Sequence, residues 1–178
     1  MFRIVMLLIL FSPALPSLGA GVFQIKGSVT KVKDGDTVLM KAEEKEYDIR
    51  LSDIDAPEIS HGRNRPGQPY SKAAQKMLSA LVTGGQPIMA KCYEYDMYER
   101  AVCHLFTVDG NNVNSIMVRN GMAWVSNNPR YVREKSIYQL EKMAKLERLG
   151  LWAEPNNIPP WEWRKSCWQA AICENSGF

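Results

Sequence analysis

With 178 residues, 46% of them hydrophobic and 23% charged, the chain can bury a real single-domain core and is too apolar for an intrinsically disordered segment. The net charge is only +3, and Arg3 in the leader supplies one of those charges. So mild a charge does not announce a polyanionic partner, and any nucleic-acid function has to come from local sites.

The chain opens with "MFRIVMLLILF", a short positive start and an apolar run from Ile4 to Phe11, followed by Pro13, Pro16 and the small-residue stretch "SLGAG". This reads as a secretory signal peptide over residues 1–20, cut near Gly19 or Ala20. A membrane anchor would need about 20 apolar residues, and this run is shorter. No later segment is apolar enough to span a bilayer, so a secreted or periplasmic protein is expected.

After the leader, "VFQIKGSVTKV", "TVLMKA" and "EYDIRLSDI" read as three strands with tight polar turns at "DGD" and "EEKE". "HGRNRPGQP" is a loop. In "SKAAQKMLSALVTGG", Ala73, Ala74, Met77, Leu78, Leu81 and Val82 recur at helical spacing until Gly84-Gly85 stops the pattern. "PIMAKCYEY" and "AVCHLFTV" are two further strands joined by "DMYER", and a short helix is expected around "VNSIMVRNG". "SIYQLEKMAKLERLGLW" reads as one last helix with Ile137, Leu140, Met143, Ala144 and Leu151 on its apolar stripe. The remainder, "PNNIPPWEWRKSCWQAAICENSGF", has aromatics and prolines without periodicity.

Five strands with a helix after the third and more helices behind them predict an α+β protein, a small five-stranded Greek-key OB-type barrel with three packed helices. The domain is expected over residues 21–154, with 155–178 as an aromatic tail packed on or flanking it.

All four cysteines, Cys92, Cys103, Cys167 and Cys173, follow the leader, an even number suited to an oxidising compartment. No CxxC or HxxxH spacing favours a zinc site. A Cys92–Cys103 bridge across the two arms of the predicted hairpin is geometrically possible, which would leave Cys167 and Cys173 to pair locally.

Three stretches carry chemistry. In "KDGDTV", Asp36 stands where the second strand begins, although Asp-Gly between strands is first of all a turn signal. In "IRLSDIDAPE", Arg50 and Asp55 are five apart and would face opposite sides of a regular strand, so the strand has to bend or end before Asp55. Pro57 then fixes a turn from which Glu58 can converge with Arg50; a solvated strand end with a local ion pair is the plain alternative. In "YDMYERAV", Arg100 begins a strand, a position that alone is ordinary surface. Together the stretches offer two aspartates for a hard cation, a glutamate as base and two arginines for a phosphate, which is the set that phosphoryl transfer needs.

"DGDTV", "RLSDIDAPE" and "DMYERA", followed by "VDGNNVNSIMVRNGMA" and "LGLW", resemble the staphylococcal nuclease family in order and spacing over roughly residues 25 to 153. The resemblance implies an OB-fold barrel and calcium-dependent cleavage of DNA and RNA to 3′-phosphate and 5′-hydroxyl ends. It implies Asp36, Asp55 and the backbone carbonyl of Ala56 as calcium ligands, Arg50, Glu58 and Arg100 as catalytic residues, and Tyr98 as a contact to a substrate phosphate. Asp53 falls off the family spacing and is expected either to support the site from behind or to be purely structural.

Several positions depart from the family pattern. Glu99 stands where glycine is common, Met97 replaces a lysine, and Asn127 aligns with an expected base-contacting tyrosine, a role that Tyr131 takes only if the loop is rearranged. A monomer acting on DNA and RNA is expected. The rivals are a non-catalytic OB module binding single strands, which has no use for Arg50, Glu58 and Arg100 together with both aspartates, and an interaction module docking through Trp161, Trp163 and Trp168. Trp161 and Trp163 are expected to pack on the barrel instead.

Overall fold

The computed structural model describes residues 21–173; the expected leader lies outside the described residues. β1 (Phe23–Val32), β2 (Thr37–Ala42), β3 (Lys45–Leu51), β5 (Ile88–Tyr95) and β6 (Ala101–Phe106) close a barrel in the order β1-β2-β3-β6-β5. All pairings are antiparallel except β3 with β6, which run parallel. The α+β barrel expected from the sequence is the fold observed.

The interior is filled by alternate residues of the strands. Ile25, Val38, Met40, Ile49, Leu51, Ala90, Cys92, Cys103 and Leu105 are buried, as period-two alternation in a barrel requires. α1 (Ser71–Val82) covers one end with Ala74, Leu78 and Val82, while Ala73, expected on its apolar stripe, is exposed. α2 (Val113–Arg119) buries Val113, Met117 and Val118, and Asn112 caps it by accepting from the Ser115 N–H at 3.1 Å. Each fully buried aliphatic side chain contributes about 1.5–3 kcal/mol.

Two elements differ from expectation. The strand predicted through Ile54 stops at Leu51, and Ile54–Asp55 forms a separate short β4 that pairs with β7 (Trp124–Val125). The long last helix is also broken: α3 covers Ile137–Leu146, Arg148 and Gly150 take positive φ of 53° and 51°, and Gly150–Ala153 continues as a 3-10 turn. The break lets Gly150 and Gly121 lie back to back, with Leu151 N–H donating to Gly121 O at 2.8 Å. A Cβ on Gly121 would stand 2.0 Å from Leu149 O, so the glycines of "RNG" and "LGLW" are one packing contact. Leu151 is buried as expected, whereas Met143 is 42% exposed.

The tail has structure that its composition did not reveal. α4 (Pro160–Trp163) continues into a wider π-type turn over Arg164–Gln169. Trp163 is buried, and the Trp163 and Trp168 indole N–H groups both donate to Pro66 O, at 3.3 and 3.0 Å. Both disulfides are formed, Cys92–Cys103 between directly paired residues of β5 and β6 and Cys167–Cys173 within the tail. Among the described residues no helix is long and apolar enough to cross a membrane.

Candidate active site

Asp34, Asp36, Arg50, Asp55, Ala56, Glu58, Tyr98, Arg100 and Arg164 line one cleft of about 300 Å³. It adjoins a wider groove of about 540 Å³ with which it shares Arg50, Asp55, Tyr98, Arg100 and Arg164; Asn127, Asn128 and Tyr131 also line that groove. All seven residues singled out for the site by sequence therefore share one concavity.

The acidic half comes from two turns pressed together. A Cβ on Gly35 would lie 2.6 Å from the Ala56 Cβ and 2.8 Å from the Ala74 Cβ, so only glycine lets the β1–β2 turn sit against the 55–58 segment and α1. That approach allows Asp36 Oδ2 to accept from the Ala56 N–H at 2.7 Å. Arg50 then joins the two aspartates. Its guanidinium pairs with Asp36 Oδ1 through Nη1 and with Asp55 Oδ1 through Nη2 at 3.1 Å. Burial alone would raise the Asp36 pKa, but the Arg50 charge and hydrogen bond and the Ala56 N–H hold it below its ordinary value. Between these carboxylates Arg50 is held further up still and stays charged.

The bend expected before Asp55 is made by Asp53, whose φ is 69°. Its carboxylate turns away from the cleft and accepts from Arg133 N–H at 2.9 Å, Glu134 N–H at 2.8 Å and the Ser52 hydroxyl, and it pairs with His104 Nε2 at 2.9 Å. Asp53 thus pins the 126–134 loop to the barrel and carries a structural load. Asn114, fully buried, braces the same bend by donating to Ser52 O and Cys103 O and accepting from the Leu105 N–H.

Glu58 is fixed at its backbone by Gln68, which accepts from the Glu58 N–H at 3.1 Å through Oε1 while its own N–H donates to Glu58 O at 2.7 Å. Burial pushes the Glu58 carboxyl upward, against the opposing pull of Arg164. Arg100 is held on one edge by Asp96 Oδ2, at 2.8 Å from Nε and 2.7 Å from Nη2, with its guanidinium 5.4 Å from the Tyr98 ring centroid. Asp96 also accepts from the Tyr98 and Arg100 N–H groups, so it shapes the turn that presents both.

Sequence reading missed Asp34, Gln68, Asp96 and Arg164. Asp34 sits behind Asp36, its Oδ1 accepting the Asp36 N–H at 2.9 Å; burial and then the Asp36 charge push it up to about 7. The Asp-x-x-x-Arg spacing could have flagged Asp96. Gln68 and Arg164 act across loops and carry no local signal.

Asp36 and Asp55 offer carboxylate oxygens beside the Ala56 backbone, and one cationic group, Arg50, already reaches both. This all-oxygen set suits a hard cation such as calcium. Among the described residues no cluster of three or more His, Cys, Asp or Glu side chains forms a metal cage, so a cation here would complete its shell with water and substrate oxygen.

A family model described as staphylococcal nuclease homologue matches residues 48–154. The chain is 35% identical over 157 residues to an uncharacterized endonuclease of Escherichia coli O157:H7, covering 88% of this chain and 94% of that protein. It is 33% identical over 149 residues to a micrococcal nuclease of Shigella flexneri, covering 79% and 81%. To a staphylococcal-like nuclease of Arabidopsis thaliana it is 34% identical over 122 residues, 68% of this chain and 34% of the plant protein.

Proposed function

Since this chain belongs to the staphylococcal nuclease family, we propose that it is an exported, calcium-dependent endonuclease that hydrolyses phosphodiesters of DNA and RNA, leaving 3′-phosphate and 5′-hydroxyl ends. The observation that carries this reading is the meeting of Asp36, Asp55, Glu58, Arg50 and Arg100 in one cleft that adjoins a groove bordered by tyrosines. A binding module needs the groove but has no need of the buried carboxylates.

Asp36, Asp55 and the Ala56 carbonyl are the groups that would hold the cation. When bound, calcium supplies a Lewis acid that stabilises charge on a phosphate oxygen. Glu58 takes a proton from the attacking water, and its burial makes it a stronger base than a solvated carboxylate. Arg50 and Arg100 stabilise the charge that grows on the phosphorus oxygens. A planar fork that stays charged matches two such oxygens, and the Asp96 pair occupies one edge of Arg100 while leaving the fork a second edge for phosphate. Tyr98, 70% exposed at the cleft mouth, and Tyr131, 53% exposed on the groove, are the side chains this reading assigns to phosphate and to base. Two disulfides support export to an oxidising compartment.

The test is a cleavage assay on DNA and on RNA with calcium, with magnesium and with chelator. Turnover on both substrates is expected with calcium, and loss with chelator. Equal or better turnover with magnesium alone would contradict the calcium assignment, because a flexible, partly aqueous oxygen site suits the larger ion.

A further inference from the structure

Arg164 lies ten residues beyond the segment that matches the family model, yet it reaches into the centre of the cleft. Its Nη2 meets Asp55 Oδ2 at 2.7 Å, its Nη1 meets Asp55 Oδ1 at 3.2 Å, and the same Nη1 pairs with Glu58 Oε1. One tail guanidinium therefore grips both the aspartate read as a cation ligand and the glutamate read as the base.

The grip is built. Trp163, the preceding residue, is 1% exposed and bonded to Pro66 O, and Cys167, three residues on, is 2% exposed and bridged to Cys173. Trp168 anchors the next turn on the same Pro66 carbonyl and packs edge-on to His61 with ring centroids 5.5 Å apart. Gln68, which holds the Glu58 backbone, also donates to Ile158 O in the tail. The backbone that carries Arg164 is therefore fixed over the cleft.

A carboxylate offers about four acceptor positions. Asp55 already uses three, for Arg50 on Oδ1 and for Arg164 on Oδ1 and Oδ2. A divalent cation approaching Asp55 meets both the shortage of lone pairs and the positive charge of Arg164. Glu58 cannot act freely as a base while it shares that guanidinium.

We propose that Arg164 is a positioning residue that competes with the divalent cation for Asp55, so that cation binding and release of Glu58 from Arg164 are one event. The inference rests on the reading of Asp55 as a cation ligand. It assigns the tail a part in the site rather than a partner to dock. Arg164 sets the affinity for the cation and holds the base in check until the cation arrives.

The experiment is a calorimetric titration of the full chain with calcium chloride, without nucleic acid, for the wild type, Arg164→Gln, Arg164→Lys and Asp55→Asn, with thermal melts to confirm folding. Arg164→Gln should tighten calcium binding on the order of tenfold, the scale of one charge-assisted pair lost from a partly buried site. Arg164→Lys keeps the charge but loses the two-pronged grip on Asp55, so it should tighten binding by a smaller factor; it decides the matter if the glutamine variant does not fold. An unchanged or weaker calcium Kd in a folded Arg164 variant, with Asp55→Asn abolishing binding, overturns this inference alone. If neither the wild type nor Arg164→Gln binds calcium, or Asp55→Asn binds as the wild type does, the cation reading fails and this inference with it.

Discussion

Glu99 stands immediately before Arg100 with φ of 62°, a left-handed conformation that costs a side-chain-bearing residue roughly 1–2 kcal/mol. The departure from the family's glycine, visible in the sequence as a charge beside a phosphate clamp, is thus also a backbone strain at the turn that presents Tyr98 and Arg100. Glu99→Gly should raise the unfolding free energy by about 0.5–1 kcal/mol, once the greater flexibility of the unfolded glycine chain is set against the relief, and so move the urea midpoint upward; a lower midpoint would contradict it. Asp96 in the same turn gives a pH signature. Its partial burial pushes upward, but the Arg100 side chain and the Arg100 and Tyr98 N–H groups hold its pKa below the ordinary value. A carboxylate depressed on folding adds stability that is present above its unfolded pKa of about 3.9 and is lost as pH falls through the folded value. Denaturant melts should therefore show wild type and Asp96→Asn converging in stability as pH drops below about 4; a gap constant down to pH 2 would count against the pair. That Asp36, Arg50, Asp55, Glu58 and Arg100 meet in one cleft was legible because acids and arginines stand in short contiguous stretches. Gln68 and Arg164 were not, because each meets its target through a loop whose path no local pattern encodes.

Among the elements, those with a long regular period were readable and those made by interruption were not. The barrel strands and α1 announce themselves by alternation and by the Ala74, Leu78, Val82 stripe. β4 and β7 are two residues each, too short to carry any period. The α3 break rests on a non-glycine residue, Arg148, at positive φ, which no propensity favours. The α4 turn hides its helix among prolines and tryptophans. Where β3 leaves the barrel, Asn114 satisfies three backbone groups at once. Asn114→Ala removes all three bonds, leaving Cys103 O only the Ser52 N–H, and should cost about 2–4 kcal/mol in equilibrium unfolding. Because the bend it braces carries Asp55 and Glu58, activity should fall with stability in that variant. A stability loss under about 0.5 kcal/mol, ordinary for a surface site, would show that the bend holds itself.

At the scale of the whole molecule, the barrel supplies a rigid frame, the β1–β2 turn and the β3–β4 bend bring the acids together, and the β5–β6 turn faces them with Arg100. The tail closes over the 59–69 loop and adds Arg164 to the same cleft. The architecture was legible as an α+β barrel because every strand pairs with neighbours that the chain order allows. The docking of the tail was not, since it depends on two indoles finding one carbonyl, Pro66 O. In the function proposed, this frame serves hydrolysis with Glu58 as base. The most direct test is single-turnover cleavage of DNA in calcium by wild type and Glu58→Gln, alongside substrate Kd and circular dichroism. The glutamine keeps the shape but cannot take the proton, so the cleavage rate should fall by roughly 10²–10⁴-fold while binding and fold persist. A folded Glu58→Gln variant that cleaves at a near-wild-type rate would rule out Glu58 as the base.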